Sequence, residues 1–342
     1  MRICAIIGTR DEAELLGPAV AALLRCGAAT ITIMDDGSRD GTAALVARLA
    51  RDPRIFAMPP PTPEQARAGI EAVLDFDGPV LGPIIRRDAP DWLMFCDSDE
   101  FLLSRGGFPG LAGQLHAHDV LEIARHNAVP GPRGIDPAAL AQEAVLRRLP
   151  LIAGGPPPDP TRLAADPQAR WILQRLPPKL LVRVATARGF GHSAHGVRPR
   201  PGQTLRHGRA EGVMMVHLPF TDLARFERKV ANIADFLDRF GNLPAQWGWH
   251  WRRWLELWRD GRLAGEYARQ CLDAQDCARL QAAGVLVTAE AVLDGRTGGG
   301  AADKRRGHMA QSTENGAAND TGDGAENRAG HPPGAPPTRA RP

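Results

Sequence analysis

The chain has 342 residues, of which 43% are hydrophobic, enough for a sizeable core in one large domain or a domain with an appendage. The formal charge is only +3, and seven Lys/Arg against five Asp/Glu fall after residue 294. The body is therefore near neutral and lacks the concentrated basic face of a nucleic-acid binder. Five scattered cysteines, with no zinc-type spacing, read as small core residues of a reducing compartment.

Residues 2–7 read as a buried first strand, too short for the apolar core of a signal peptide. Asp11 and Glu14 have capping-box spacing ahead of Leu16, Ala19, Val20, Leu23 and Leu24 at helical period. Gly17-Pro18 is expected to kink or restart that helix and Gly27 to end it. Residues 30–34 form a second strand that delivers Asp35 and Asp36. Asp40 can cap a helix over 42–50, and 54–58 is a third strand. The stiff run Pro59-Pro60-Pro61-Thr62-Pro63 leads to a helix at 65–76. Residues 91–96 form a central strand presenting Asp97 and Asp99, and 120–123 is the next strand.

From 131 to 178 Pro and Gly interrupt short helical pieces, which predicts a mobile or acceptor-facing insertion. Strands resume at 179–184 and 213–216, and 222–240 and 243–270 read as helices. Beyond about 295 Gly, Ala, Pro and Asn with charge predict a disordered tail. The alternation of strand and helix argues an α/β fold with a mostly parallel sheet covered on both faces. The expected division is a catalytic domain at 1–220, a helical segment at 221–293 and the tail at 294–342. No stretch reaches the roughly 18 apolar residues of a membrane span, so the expectation is a cytoplasmic protein.

Two acidic clusters carry the chemistry. Each follows an apolar run, so each places carboxylates where a strand runs out, the edge at which open α/β sheets bind ligands. In Asp97-Ser98-Asp99, residues two apart on a strand share a face, so both carboxylates can address one cation. Magnesium or manganese held by one or two carboxylates and phosphate oxygens suits nucleotide chemistry. In the earlier cluster, Asp36, Ser38, Asp40 and Gly41 imitate a calcium loop, but the twelfth position is Ala47 and a strand precedes it, which rejects calcium. There Asp35 or Asp36 would accept hydrogen bonds from a base or ribose. An aspartyl-phosphatase reading of Asp97-x-Asp99 is disfavoured by Phe101 and by the late position of the strand.

With Thr9-Arg10-Asp11-Glu12, the turn from Asp36 to Thr42 and Asp97-Ser98-Asp99-Glu100-Phe101 in this order, the chain resembles the family 2 glycosyltransferases. The Asp-x-Asp-Glu-Phe form is most similar to a subgroup with a later Lys, a Gly-x-His-Gly-type loop and a His. Those positions are Lys179, Ser193-Ala194-His195-Gly196 and His217-Leu218-Pro219-Phe220, followed by Phe226 and Lys229. The resemblance spans about residues 3 to 235. One departure is Asp11-Glu12 where that family usually has Asn-Glu.

The resemblance implies a GT-A type nucleotide-diphospho-sugar transferase fold and a metal-dependent, inverting transfer. The sugar would pass from a UDP- or GDP-linked donor to a glycan, lipid or protein hydroxyl. Asp36 would contact the nucleoside, with Asp35, Asp11 and Gln65 beside the donor. Asp97 would meet ribose or metal, Asp99 would be the main ligand of Mn2+ or Mg2+, and His217 a further metal or diphosphate contact. His195 and Lys179 would line the same pocket. An inverting transfer also needs a carboxylate base; Glu122 is the candidate, with Glu211 and Asp222 competing.

Trp247, Trp251, Trp254 and Trp258 lie on one helical face beside several arginines. That face can pack on the catalytic domain, close a homodimer or lie on a membrane surface. Two other functions remain open from sequence. One is a nucleotidyltransferase of related fold, which should show a Gly-rich phosphate loop after the first strand, and Gly8-Thr9-Arg10 is too slight for one. The other is a non-catalytic nucleotide-sugar or glycan binder.

Overall fold

The computed structural model describes residues 1–131, 134–154, 160–191, 194–239 and 248–296. Its strands are β1 (Ile3–Thr9), β2 (Thr30–Asp35), β3 (Ile55–Met58), β4 (Trp92–Asp97), β5 (Glu100–Ser104), β6 (Val120–Ile123), β7 (Arg125–Asn127), β8 (Pro150–Ile152), β9 (Lys179–Arg183), β10 (Ala187–Phe190), β11 (Val197–Pro199), β12 (His207–Arg209), β13 (Val213–His217) and β14 (Leu286–Thr288). Seven of them make a central sheet in the order β12-β6-β9-β4-β1-β2-β3. All its pairings are parallel except those of β9 with β4 and β6. The α/β class and the mostly parallel sheet are thus present, with one reversed strand in the middle.

Both faces are covered, as continuous apolar strands require. Ala5 and Ile7 of β1 face helix Ala13–Arg25 through Leu16, Val20 and Leu23. Cys4 and Ile6 face the other way, onto Leu81 and Ile84 of helix Leu81–Asp88. Successive strand residues alternate between two cores, which is the period-two rule in operation. Residues 1–300 form one compact unit.

A second sheet, β5-β13-β7, stands beside the first. The chain enters it at the acidic turn: β4 ends at Asp97, Ser98 and Asp99 turn, and β5 begins at Glu100. β13 runs antiparallel to β5 with His217 opposite Glu100, and parallel to β7 with His217 opposite Asn127. This register puts His217 at the acidic turn, and the Leu218 amide donates to the Asp99 carbonyl at 2.8 Å.

Several expectations are corrected. Helix Ala13–Arg25 runs unbroken through Pro18, held by its buried stripe of Leu15, Leu16, Ala19, Val20 and Leu23. No side-chain cap forms there. Asp11 instead takes a left-handed backbone with φ 53° and turns its carboxylate to the Arg39 amide, 2.5 Å away. The helix expected at 65–76 is two short pieces, Pro63–Arg67 and Ile70–Val73, separated by Gly69 at φ 92°, and Thr62 with Gln65 supplies the real capping box. Helix Leu81–Asp88 went unread. The expected helix 243–270 is Trp249–Arg259 and Leu263–Gln270, parted at Gly261 with φ 69°. Within 131–178, β8 pairs with the distant β14, so part of this segment is tied to the C-terminal elements. The predicted tail lies, from residue 297, outside the described residues, as does Trp247.

Candidate functional site

β2 and β4 flank β1, and their ends are level: Thr9 pairs with Asp35 and Gly8 with Asp97. The Asp35-Asp36 and Asp97-Ser98-Asp99 turns therefore emerge from one edge of the sheet, on either side of the β1 terminus. Across this edge lies helix Leu223–Arg239. Its residues 225, 228, 229, 232 and 235 recur at helical spacing, and each reaches a group of the first loop, of the first turn of helix Ala13–Arg25 or of the acidic turn.

Arg225 is the anchor, only 1% exposed at its side chain. It grips Glu12 with two hydrogen bonds of 2.7 and 2.6 Å, donates to the Leu218 and Pro219 carbonyls at 3.1 Å each, and reaches Asp99 at 3.2 Å. Lys229 donates to the same Asp99 oxygen at 2.5 Å. Arg228 pairs with Glu14, and Asp235 with Arg10, whose carbonyl also accepts from Asn232 at 3.3 Å. Arg10 in turn stands 3.7 Å from Asp36.

The two aspartates of the motif do not share a strand face. Asp97 ends β4 while Asp99 lies in the turn, so they diverge. Asp97, with a side chain 51% exposed, takes Lys179 at 2.9 Å. The buried ammonium of Lys179 also meets Glu100 at 3.0 Å, and Arg125 meets Glu100 at 2.6 Å. Burial opposes ionisation of Asp99, but the Lys229 and Arg225 cations outweigh it and hold the carboxyl well below its usual range.

His217 is fixed as one tautomer. Asn127 Nδ2 donates to the Ile172 carbonyl at 3.0 Å, which aims Asn127 Oδ1 at His217 Nδ1, 2.8 Å away. Nδ1 therefore carries the proton. Burial, with Arg125, Lys229 and Lys179 acting the same way, lowers the ring's pKa well below its ordinary value despite Asp99. The Nε2 lone pair then faces Asp99 Oδ1 across 3.7 Å. Two acceptors stand opposed there.

Of the other predicted residues, His195 joins this group. Its Nδ1 lies 3.1 Å from the Pro178 carbonyl and its Nε2 3.5 Å from Arg125. Burial, then Arg125 and Lys179, push its pKa down to about 3. Asp35 is occupied by its own turn, accepting from the amide and hydroxyl of Ser38 at 3.1 and 2.5 Å. Gln65 caps its short helix. Glu122 sits on β6, two strands out from β4, and faces His207 at 3.8 Å; no contact of its side chain with Asp97 or Asp99 occurs. Glu211 offers its backbone to Gln114, and Asp222 accepts from the Arg225 amide at 2.9 Å.

Sequence reasoning missed Arg10, Arg125 and Arg225. With thirty-nine arginines in the chain, no single one stands out; the polar stripe 225, 228, 229, 232, 235 was the readable signal. The tryptophan stripe is largely spent inside: Trp254 is buried against Trp171, Phe220 and Phe226, and Trp251 packs on Phe236. Trp258 alone among the described tryptophans is exposed, at 42%. No described helix is long and apolar enough to cross a membrane.

A cavity of about 180 Å³ opens between the first loop and helix Leu223–Arg239, lined by Asp11, Glu12 and Asp36 on one side and by Arg225, Lys229 and Phe236 on the other. Two of its lining residues, Arg225 and Lys229, are bonded to Asp99, which does not itself line the cavity. Among the described residues no three His, Cys, Asp or Glu side chains are grouped as a metal centre.

The chain matches no protein-family profile and no curated protein. Among solved structures it is similar to S. aureus TarS 1–349, at TM-score 0.35 and 13% identity over 82% of this chain and 85% of that one. The same protein in complex with UDP gives 0.34 and 14%, over 86% of each chain. HddC from Yersinia pseudotuberculosis gives 0.32 and 10%, over 64% of this chain and 93% of that one. These likenesses are too distant to carry any residue's role across.

Proposed function

We propose that the chain is a glycosyltransferase of GT-A type that binds a nucleotide-diphosphate sugar in the cleft between Asp36 and Asp99 and passes the sugar to an acceptor hydroxyl. The observation that carries this reading is the emergence of two acidic turns from level strand ends at one sheet edge, with Asp36 lining a cavity whose other wall carries Lys229, itself bonded to Asp99. A nucleoside diphosphate needs acceptors for its sugar hydroxyls and base edge, and cations for its phosphates. Asp36 would supply the first and Lys229 the second, at the sheet edge where such ligands bind.

A divalent cation fits the donor set. The lone pair of His217 Nε2 and Asp99 Oδ1 face each other at 3.7 Å with no proton between them, a juxtaposition that a cation relieves. The Asn127 bond to Nδ1 orients the ring as outer-shell partners orient metal-binding histidines. Asp99 and His217 would hold Mn2+ or Mg2+, with Asp97 adjoining. When bound, the ion stabilises the negative charge of the departing diphosphate. The chain's own residues do the remaining work. Glu12 and the two carbonyls lock Arg225 in place, and Lys229, bonded to one carboxylate oxygen, is free to turn to a phosphate.

Thermal shift with UDP and GDP, with and without manganese, tests the reading. Stabilisation is expected from the nucleotide plus metal and is lost in Asp99→Ala. Incubation with a nucleotide-sugar panel should then release nucleoside diphosphate. Stabilisation by neither nucleotide in any condition refutes the reading, and binding without release points to a non-catalytic binder.

A further inference from the structure

The cavity changes character along the helix that roofs it. Arg225 and Lys229 stand at the Asp99 end; Asn232 and Ile233 come one turn later, and Phe236 two turns from Lys229. Seven residues of helix separate Lys229 from Phe236, about 10 Å at the normal rise. Trp251, from helix Trp249–Arg259, meets Phe236 edge to face at 5.8 Å and 82°, and both rings line the cavity. Both are only partly buried, unlike Trp254 and Phe226 in the core behind them. An aromatic wall at this distance from the Lys229 ammonium matches the layout of a nucleotide, whose flat base lies one ribose away from its diphosphate. Asp36 and Arg10, on the opposite wall, face the intervening stretch.

We infer that Phe236 and Trp251 form the nucleobase subsite of the donor, so that the C-terminal helices read the base while the strand ends hold the sugar and phosphates. This rests on the function proposed above and assigns that ligand's base to a surface remote in sequence from the acidic motifs. Ring stacking tolerates any base face, so the subsite would supply affinity more than choice among bases.

The test is calorimetric titration of the full chain with UDP, GDP and inorganic pyrophosphate in the presence of manganese. Trp251→Leu and Phe236→Leu are each expected to weaken nucleoside diphosphate binding roughly tenfold or more. Pyrophosphate affinity should stay within twofold, and Trp251→Phe should restore most of the loss. Equal loss for pyrophosphate and nucleotide would mean that the two rings only pack the helices together, and it overturns the inference. So does unchanged nucleotide binding in both leucine variants. If the unmodified chain binds neither nucleotide, the proposed function itself fails. Should Trp251→Leu lose its cooperative melt, the Phe236→Leu and Trp251→Phe pair decides alone.

Discussion

Arg225 and Lys229 touch the same Asp99 oxygen, yet their removal should read out differently. Replacing Arg225 by Met deletes two bonds to Glu12, two to backbone carbonyls and one to Asp99 in a place closed to water. Breaking a buried ion pair from one side costs about 3–5 kcal/mol, because the partner is left charged and unsolvated. The stranded Leu218 and Pro219 carbonyls add about 1 kcal/mol or more each. Some of this is recovered if Glu12 takes up a proton. A net loss of about 3–5 kcal/mol is expected by urea unfolding at neutral pH. Lys229 is 23% exposed and makes one such bond, so Lys229→Met should cost no more than about 1 kcal/mol while abolishing nucleotide-dependent stabilisation. A loss below about 1 kcal/mol in Arg225→Met would show that the arginine does not hold the helix on the sheet. Full nucleotide binding in Lys229→Met would show that the cavity's cationic end is not used.

Three further outcomes follow from the same geometry. His250 Nδ1 is buried without a partner among the described residues, and burial, then Lys229 and Arg125, lower the ring's pKa to about 3. Its folded value lies below the unfolded one, so the associated stability is complete above about pH 6.5 and is lost as pH falls from there toward 3. His250→Phe should therefore flatten the acid limb of the stability profile by up to about 1.4 kcal/mol per pH unit, measured by urea unfolding between pH 7 and 5; an unchanged slope refutes it. Gly189→Ala would bring a Cβ to 2.5 Å from the Leu74 carbonyl, and should destabilise by about 1–3 kcal/mol in thermal melts. Because Glu122 contacts His207 rather than the acidic turn, Glu122→Gln should leave nucleoside diphosphate release within about twofold, and a loss near the 10²–10⁴-fold typical of a general base would restore it to that role.

The first strands were legible because local chemistry decided them. Apolar runs became β1, β2 and β4, the last two ending in carboxylates, and Gly27 fell where backbone rules put it. Elsewhere the outcome was settled by partners distant in sequence. Nothing local to residues 179–183 says that β9 runs against its neighbours, since a buried strand of either direction has the same apolar pattern. The period-two argument for Asp97 and Asp99 failed because the strand stopped between them. What stopped it was the pairing of β5 with β13, more than a hundred residues later. Asp11 missed its capping role for a similar reason: the backbone amides of Arg39 and Asp40 claimed its carboxylate.

The same separation explains why half of the cleft went unread. A carboxylate at a strand end is recognisable alone, but a cation becomes meaningful only through what it faces. Glu12, Asp97, Asp99 and Glu100 are matched by Arg125, Lys179, Arg225 and Lys229, one cation for each anion, and every member of the second set comes from a later element. Such a network is neutral as it stands. An incoming diphosphate can draw Lys229 away only if Asp99 keeps another positive partner, and Arg225 at 3.2 Å, fixed by Glu12, is that partner within the chain. On the proposed function, the buried Arg225–Glu12 pair would keep Asp99 ionised while the partly buried lysine changes sides. That division of labour explains why two cations converge on a single oxygen.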